Sequence, residues 1–276
     1  MGNSILSTRI SSAALNDANR AEKAKEVAAK QLTTGRRVNE AGQDATGLAV
    51  VAKQRAAQAS MVEGLNNGTK AEAFSRTVDG GLQTAGDLLN RLLSIATSAA
   101  ADTFDTADRT IAAEEVASIV AGIDKIATGT RFGVSQLIDG TGGEKKFQVG
   151  ETVLADNLVS LDLSSVDVKS ASLGISALDV SSVDGAQAAE TSINTAVATI
   201  NSARATVGAF QKTVQSLSAN NEVKLENLEA TIGVTLDADL GKSSTEYTKQ
   251  GVMQGMARAI LSQANSGMQD LQRLVQ

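Results

Sequence analysis

The chain has 276 residues and a mass of 28.3 kDa, enough for one large or two modest domains. It contains no His, Cys, Trp or Pro, so the usual neutral-pH base, the thiol nucleophile and the preferred transition-metal ligands are missing, which excludes most catalytic sites. A net charge of −6 argues against binding to nucleic acid, which needs clustered positive charge. We therefore predict no enzyme, no cofactor and no metal site.

Neither a secretory signal nor a membrane span is indicated. Residues 1–14 lack the continuous apolar stretch of a signal peptide. No window approaches the roughly 18 consecutive apolar residues of a membrane-spanning helix. We expect no membrane insertion, and export of such a chain would need a specialised route.

Helical periodicity begins near the N-terminus, where small and apolar residues recur every three or four positions. Most of them are alanine, so at about 25 cal/mol per Å2 this face buries little area alone and needs close neighbours. We predict a helix whose stripe consists of Ile10, Ala14, Ala18, Ala21, Ala24, Ala28 and Leu32.

A glycine-containing break at residues 33–47 separates this helix from two further helical patterns. Apolar residues between Phe74 and Ala99 follow an almost heptad spacing, and a similar pattern runs from Ala112 to Ile126. A polar gap at residues 101–108 lies between them. Two antiparallel helices joined by a loop are the simplest prediction.

The central segment, residues 129–185, changes to Gly, Ser, Thr and Asp with short apolar alternation. Val159, Leu161 and Leu163 alternate with polar residues, and Phe147 precedes them, so we predict short strands or hairpins. We predict turns at residues 139–143, where glycines cluster without the spacing of a phosphate-binding loop. This segment is expected to be the most exposed part of the chain.

The longest helical pattern starts near Ala186 and continues to Ile232, with Asn221 at one of its apolar steps. A helix of about 45 residues is roughly 70 Å long, so a rod is expected. After a second break at residues 233–244, a C-terminal stripe resumes. The symmetry predicts that the terminal helices pair with each other and with other copies. The C-terminal stripe consists of Val252, Met256, Ile260, Ala264, Gly267, Leu271 and Leu274.

The acidic pairs in the chain do not indicate an acid/base or calcium site. The carboxylates of Glu114 and Glu115 lie about 100° apart on a helix and do not converge. Asp237 and Asp239 lack the glycine turn and the distal Glu of a calcium loop, so helix N-capping is the better prediction.

Several motifs together resemble a known family. LTTGRRVN at residues 32–39 is followed by DATGLA at residues 44–49, in the order of the N-terminal signature of bacterial flagellins. Further similar motifs occur in family order along the chain. They are RFG at 131–133, LIDG at 137–140, FQVG at 147–150, DAD at 237–239 and LSQAN at 261–265.

The resemblance implies a mostly α-helical protein that self-assembles into the flagellar filament used for motility. Residues 1–43 and 237–276 would form the inner tube, and residues 44–236 a helical rod domain with a small β region at about 130–185. It implies export through the flagellar secretion channel, and a chaperone, a cap and hook-junction proteins as partners. The residues expected in assembly are Ile10, Ala14, Ala21, Ala28, Leu32, Gly35, Arg36, Asn39, Asp44, Met256, Ile260, Ala264, Leu271 and Leu274.

The innate-receptor patch of the family is only partly matched. Arg91 is kept, Ile95 is similar, and Glu115 aligns with a third member, whereas Leu93 and Ser94 replace charged residues. This degenerate patch puts receptor activation in doubt. Two alternatives to a filament subunit stay open, namely a hook-filament junction protein and a coiled-coil adaptor unrelated to flagella.

Overall fold

The computed structural model describes residues 2–151 and 157–275, and it describes side chains in those ranges except at residues 2–8, 268 and 270–275. Most of the described chain is helical, with a small β region in its centre, which confirms the predicted fold class. The helices are α1 Gly2–Thr34, α2 Ala45–Ala99, α3 Thr106–Gly129, α4 Val183–Leu236 and α5 Leu240–Val275. The strands are β1 Arg131–Phe132, β2 Ser135–Gln136, β3 Glu144–Gln148 and β4 Leu158–Asp162.

The chain divides into two compact units. The terminal unit comprises Met1–Ala56 and Asn227–Gln276, and the central unit comprises Ala57–Glu226. Both chain ends therefore contribute to one unit, while the other is a single continuous stretch.

In the terminal unit, α1 and α5 pack together in antiparallel directions. The Ser243 hydroxyl donates to the Gln31 amide oxygen at 3.2 Å, and the Lys25 ammonium lies 5.1 Å from the Tyr247 ring centroid. Lys25 precedes Gln31 while Tyr247 follows Ser243, which defines the antiparallel direction. The predicted pairing of the terminal helices is confirmed. Three alanines of the α1 stripe, seven residues apart, are buried, namely Ala14, Ala21 and Ala28.

The central unit contains the predicted antiparallel pair of α2 and α3. The Arg91 guanidinium donates to the Glu115 carboxylate at 2.7 Å. A Cβ placed on Gly122, further along α3, would lie 3.7 Å from Leu88, which precedes Arg91 on α2, so the helices run in opposite directions. This pair confirms the prediction made from the two apolar patterns.

Helix α4 packs antiparallel against the same α2. Arg204 binds the Asp79 carboxylate at 2.9 Å, and Ile200 lies 3.8 Å from a Cβ placed on Gly86. The helical side chains of this core are large and fully buried. They include Val78, Leu82, Leu89, Leu92, Ile123, Ile193 and Ile200.

The central segment also contributes to this core, so the expectation that it is the most exposed region was wrong. Along β4 the apolar Val159 and Leu161 are buried and alternate with exposed residues, so one face of this strand covers the helices. The central-segment residues that are at most 2% exposed include Leu137, Ile138, Val149, Leu161, Leu163, Val168, Ile175 and Val180.

Strands β3 and β4 form the predicted antiparallel hairpin, with Phe147 opposite Val159. The Phe147 ring lies between Phe74 of α2 and Phe210 of α4, with centroids 5.3 and 5.9 Å away. Such tilted ring contacts are favourable. The hairpin therefore connects the two long helices of the central unit.

Val149, the residue after β3, contacts both long helices. Asn221 of α4 is buried, and its amide donates to the Val149 carbonyl at 2.9 Å. Asn67 of α2 donates to the preceding carbonyl, that of Gln148, at 3.2 Å. A Cβ on Gly64 would overlap the Val149 carbonyl oxygen, so only glycine lets the chain approach α2 here.

The second break is shorter than predicted. It spans residues 237–239 and not residues 233–244, because α4 continues through Gly233 to Leu236. Helical continuation past a glycine costs only about 1 kcal/mol. Burial of Leu236 with Val38 and Val51, in a small second core, offsets that cost.

Acid should remove the stabilisation provided by Asp139, a buried carboxylate in the turn after β2. The Thr141 hydroxyl, which donates at 2.6 Å, holds the pKa of Asp139 below its ordinary value of 3.8. The contribution to stability is therefore present above that pH and is lost as pH falls through the lower folded-state pKa. We expect Asp139→Asn to lower the free energy of unfolding at pH 7.

Urea unfolding between pH 2 and 7 checks this prediction, with the exposed Glu63→Gln as control. The difference between Asp139→Asn and wild type should shrink as the pH falls. A difference that stays constant over this range would contradict the assigned role of the carboxylate.

Candidate assembly surface

Helix α5 has two different faces. One contacts α1 and carries small or polar side chains at seven-residue intervals, the buried Ser243, Gln250 and Ala257. Ala264, one interval further, is half-buried. Small side chains allow close approach of the two helices, and the predicted Ala264 belongs to this face.

The other face of α5 is apolar and exposed. Val252 is 58% exposed, Met253 45%, Met256 62% and Ile260 48%. These four residues are called the outer stripe. Successive steps of four residues rotate by about 40° around a helix, so the predicted stripe from Val252 to Ala264 does not stay on one side. The structure thus places Met256 and Ile260 away from α1.

Among the described side chains of α1, residues 9–34, the exposed apolar ones are scattered around the helix and form no second stripe. Ile10, Leu15 and Val27 are exposed and point in different directions. Leu32 at the end of α1 is half-buried. The side chains of the predicted Leu271 and Leu274 lie outside the described residues. Within the described residues, the outer stripe is therefore the exposed apolar surface of the terminal helix pair that a partner would bury most effectively.

The terminal unit has two linkers, residues 35–44 between α1 and α2 and residues 237–239 between α4 and α5. The backbones around these linkers bind each other. The Arg37 amide donates to the Leu236 carbonyl at 2.6 Å, and the Ala238 amide donates to the Gly35 carbonyl at 2.8 Å. Gly35 has a φ of 67°, a left-handed conformation that favours glycine. The backbone of Arg36 pairs here while its side chain is exposed. Two of the predicted residues thus lie in a backbone connection between the ends of the chain.

The other two predicted linker residues hold the loop between α1 and α2. The Asn39 amide donates to the Arg36 carbonyl at 2.9 Å, and its oxygen accepts from Thr34 at 2.8 Å. The Asp44 carboxylate accepts from the Gly47 amide at 2.8 Å and so caps α2. Both side chains fix local conformation, and their part in contacts between copies stays a prediction.

The predicted N-cap at the start of α5 is present. The Asp239 carboxylate accepts from the Lys242 amide at 3.0 Å. We expect Asp239→Ala to destabilise the terminal unit by about 1 kcal/mol, because an unpaired helix amide is left at the N-terminus. Tyrosine fluorescence during urea unfolding measures this, since the single tyrosine, Tyr247, lies in α5 and the chain has no Trp.

Asp237→Ala is the matched control, because its pairing with Arg36 uses backbone atoms only. It should change the unfolding midpoint by much less than Asp239→Ala. Equal losses would show that the carboxylate of Asp239 does not act as a cap.

The structure brings the three residues of the degenerate receptor-like patch together. Arg91 donates through two nitrogens to Glu115, at 2.9 and 2.7 Å, and Ile95 lies one turn further along α2. Ile95 is 8% exposed and packs in the core. The arginine and glutamate join α2 to α3.

The described part of the chain offers no metal site and no membrane-spanning helix. In residues 2–151 and 157–275, no three or more carboxylates cluster as a metal site. None of the described helices is long and apolar enough to cross a membrane. The glycine cluster at residues 140–143 forms turns, with Gly140 and Gly143 at positive φ.

Comparisons with known proteins agree with these features. Residues 5–142 match the model of the bacterial flagellin N-terminal helical region, and residues 191–275 match the model of the bacterial flagellin C-terminal helical region. A flagellin of Halalkalibacterium halodurans is 28% identical over 90% of both chains. Flagellin FlaB1 of Treponema pallidum is 27% identical over 88% of this chain and 89% of the relative.

A solved structure gives the same result. The crystal structure of Bacillus cereus flagellin is similar with a TM-score of 0.50 and 25% identity, covering 56% of this chain and 88% of that chain.

Proposed function

Because the chain belongs to the bacterial flagellin family, we propose that it is a structural subunit that self-assembles into the helical filament of the bacterial flagellum, which serves motility. The observation that carries the proposal is the outer stripe of α5, an apolar surface on a helix that already has its intramolecular partner. A second copy of the chain is the partner that a flagellin offers. The role is structural and involves no catalysis.

Burial of the outer stripe supplies the affinity between copies. A methionine or isoleucine side chain contributes roughly 1.5–3 kcal/mol when it is fully removed from water. A helical polymer requires heterologous contacts that do not close into a ring, so the proposal places a different surface of the next copy over the stripe. The same contact repeated at every subunit explains how a modest surface per copy stabilises a long filament.

The proposal assigns residues 1–43 and 237–276 to the inner tube and residues 44–236 to the layer around it. The predicted assembly residues Gly35, Arg36, Asn39 and Asp44 belong to the loop that joins the two parts. Export through the flagellar secretion channel, and a chaperone, a cap and hook-junction proteins as partners, complete the proposal. Its location would be the extracellular filament.

Two other functions would lead to an assembly different from a long filament. A hook-filament junction protein would form a short, limited assembly, and a coiled-coil adaptor would stay a small oligomer. The family match over both ends of the chain and the relatives named flagellar filament core proteins, such as that of Brachyspira hyodysenteriae, favour the filament subunit.

Electron microscopy of the purified chain under salting-out conditions tests the proposal. We expect long helical filaments from the intact chain and none from a variant that begins at Gln43 and so lacks α1. Light scattering gives the size of any product too small to see. Only small, closed oligomers at every concentration would overturn the filament function in favour of the junction or adaptor alternatives.

A further inference from the structure

The hairpin of β1 and β2 presents an unusually exposed apolar tip. Its two-residue turn consists of Gly133, with a φ of 61°, and Val134. Val134 is 97% exposed, more than any other large apolar side chain among the described residues. The hairpin is anchored, because the Phe132 ring packs edge-on against Phe74 with centroids 5.4 Å apart. The tip is therefore an apolar projection on an anchored hairpin.

A positive charge accompanies the tip. Arg131, the first residue of β1, is exposed and donates to the Thr128 carbonyl at 3.2 Å. In the part of the chain that the structure describes, its guanidinium binds no carboxylate. The projection thus combines one apolar side chain with one cation whose charge is unpaired.

A cleft of about 420 Å3 lies between α4 and the segment after β4. Its apolar lining includes Val166, Leu173 and Ile200. Thr195 and Thr199 of its wall donate their hydroxyls to carbonyls of α4 itself, at 3.0 Å each. Because these two hydroxyls already donate within α4, this wall of the cleft suits an apolar group.

Two carboxylates line the same cleft, those of Asp162 and Asp167. Asp162 accepts from the Ser164 amide at 2.8 Å, and Asp167 from the Lys169 amide at 3.0 Å. The hydrogen bond from the Ser164 side chain lowers the pKa of Asp162, so this carboxylate is charged at neutral pH. Among the described side chains, no cation pairs with either one.

We propose that the hairpin tip of one copy docks in this cleft of a second copy, with Val134 among the apolar residues and Arg131 beside Asp162 and Asp167. The second copy is the one that the proposed filament function supplies, so the inference rests on that function. Apolar character and charge agree between the two surfaces. Since tip and cleft are different surfaces, each copy can dock and be docked at once, and the contact propagates.

Cysteine cross-linking tests the contact directly, because the chain has no cysteine of its own. Two single variants, Val134→Cys and Thr199→Cys, are mixed, polymerised and oxidised. A disulfide requires the two Cα atoms to lie within about 7 Å. We expect a dimer band on a non-reducing gel from the mixed filaments and none from either variant polymerised alone. The two thiols are on different chains, so contacts within one copy cannot produce this band.

Thr213→Cys provides the matched control, because Thr213 is exposed on the same helix outside the cleft. Mixed with Val134→Cys, it should give no dimer. Filaments that form without the Val134–Thr199 dimer, or that give equal dimer with Thr213→Cys, would overturn the docking contact and leave the filament function intact. Failure of wild type to polymerise would instead overturn the filament function, and the docking contact with it.

A charge reversal tests the ion pairing in the proposed docking contact. Arg131→Asp should raise the critical concentration for polymerisation severalfold at low salt, and Asp162→Arg in the same chain should restore it. The effect should fall as salt is added, because exposed charge pairs are screened. No change with Arg131→Asp, or no restoration by the second substitution, would remove the pair from the contact.

Discussion

Replacing Met256 and Ile260 together with aspartate is expected to abolish filament growth at concentrations where the wild type polymerises fully. In the monomer both side chains are largely exposed, 62% and 48%, so the substitutions cost little folding free energy. In a filament the carboxylates would enter an apolar contact, where the penalty for burying an unpaired charge is several kcal/mol per ion. Sedimentation and electron microscopy measure the loss.

The matched control places the same charges elsewhere on α5. Thr248 and Ser262 are exposed and lie outside the outer stripe, so the double variant Thr248→Asp and Ser262→Asp should still polymerise. Circular dichroism and Tyr247 fluorescence establish that both monomers are folded. If both double variants fail equally, charge on α5 and not the outer stripe decides assembly.

Gly64→Ala is expected to destabilise the central unit by about 2 kcal/mol, because α2 or the chain after β3 must move to admit the added methyl group. The new Cβ would overlap the Val149 carbonyl oxygen and lie 2.9 Å from its carbonyl carbon. That carbonyl is also the acceptor for the buried Asn221 amide. Urea unfolding followed by circular dichroism measures the change.

Gly80→Ala, on the same helix, should have the opposite effect. Nothing lies within 4 Å of its added methyl group, and the residue is exposed. Alanine in an exposed helix interior stabilises by about 0.5–1 kcal/mol over glycine. Opposite signs for the two substitutions would locate the effect in the Val149 contact, whereas destabilisation by both would attribute it to α2 in general.

The long helices were predictable because their burial is periodic. Phe74, Val78 and Leu82 follow each other at intervals that keep one side of α2 inside the core, and each is buried in the structure. Asn221 occupies an apolar step of α4 and is buried there, as its position in the pattern indicates. The N-cap at Asp239 was predictable from chemistry local to the helix start.

Features that depend on distant parts of the chain were not predictable. The face of α5 that contacts α1 was not predictable, because it is formed by Ser243 and Gln250, which a search for apolar residues passes over. The Val149 contact requires Gly64, whose role is visible only when β3 is placed beside α2. The central segment was expected outside because its composition is polar, although its few apolar residues are those that face the helices.

The bonded linkers of the terminal unit also set the order in which the molecule can form. Arg37 binds the Thr235 carbonyl across 198 residues of sequence, and contacts between such distant residues form slowly. The central unit lies in one continuous stretch, whereas the terminal unit needs segments from both ends of the chain. The terminal unit therefore cannot be completed until both ends of the chain are present. A chain that lacks either end has no pair of α1 and α5, however well its central unit is folded.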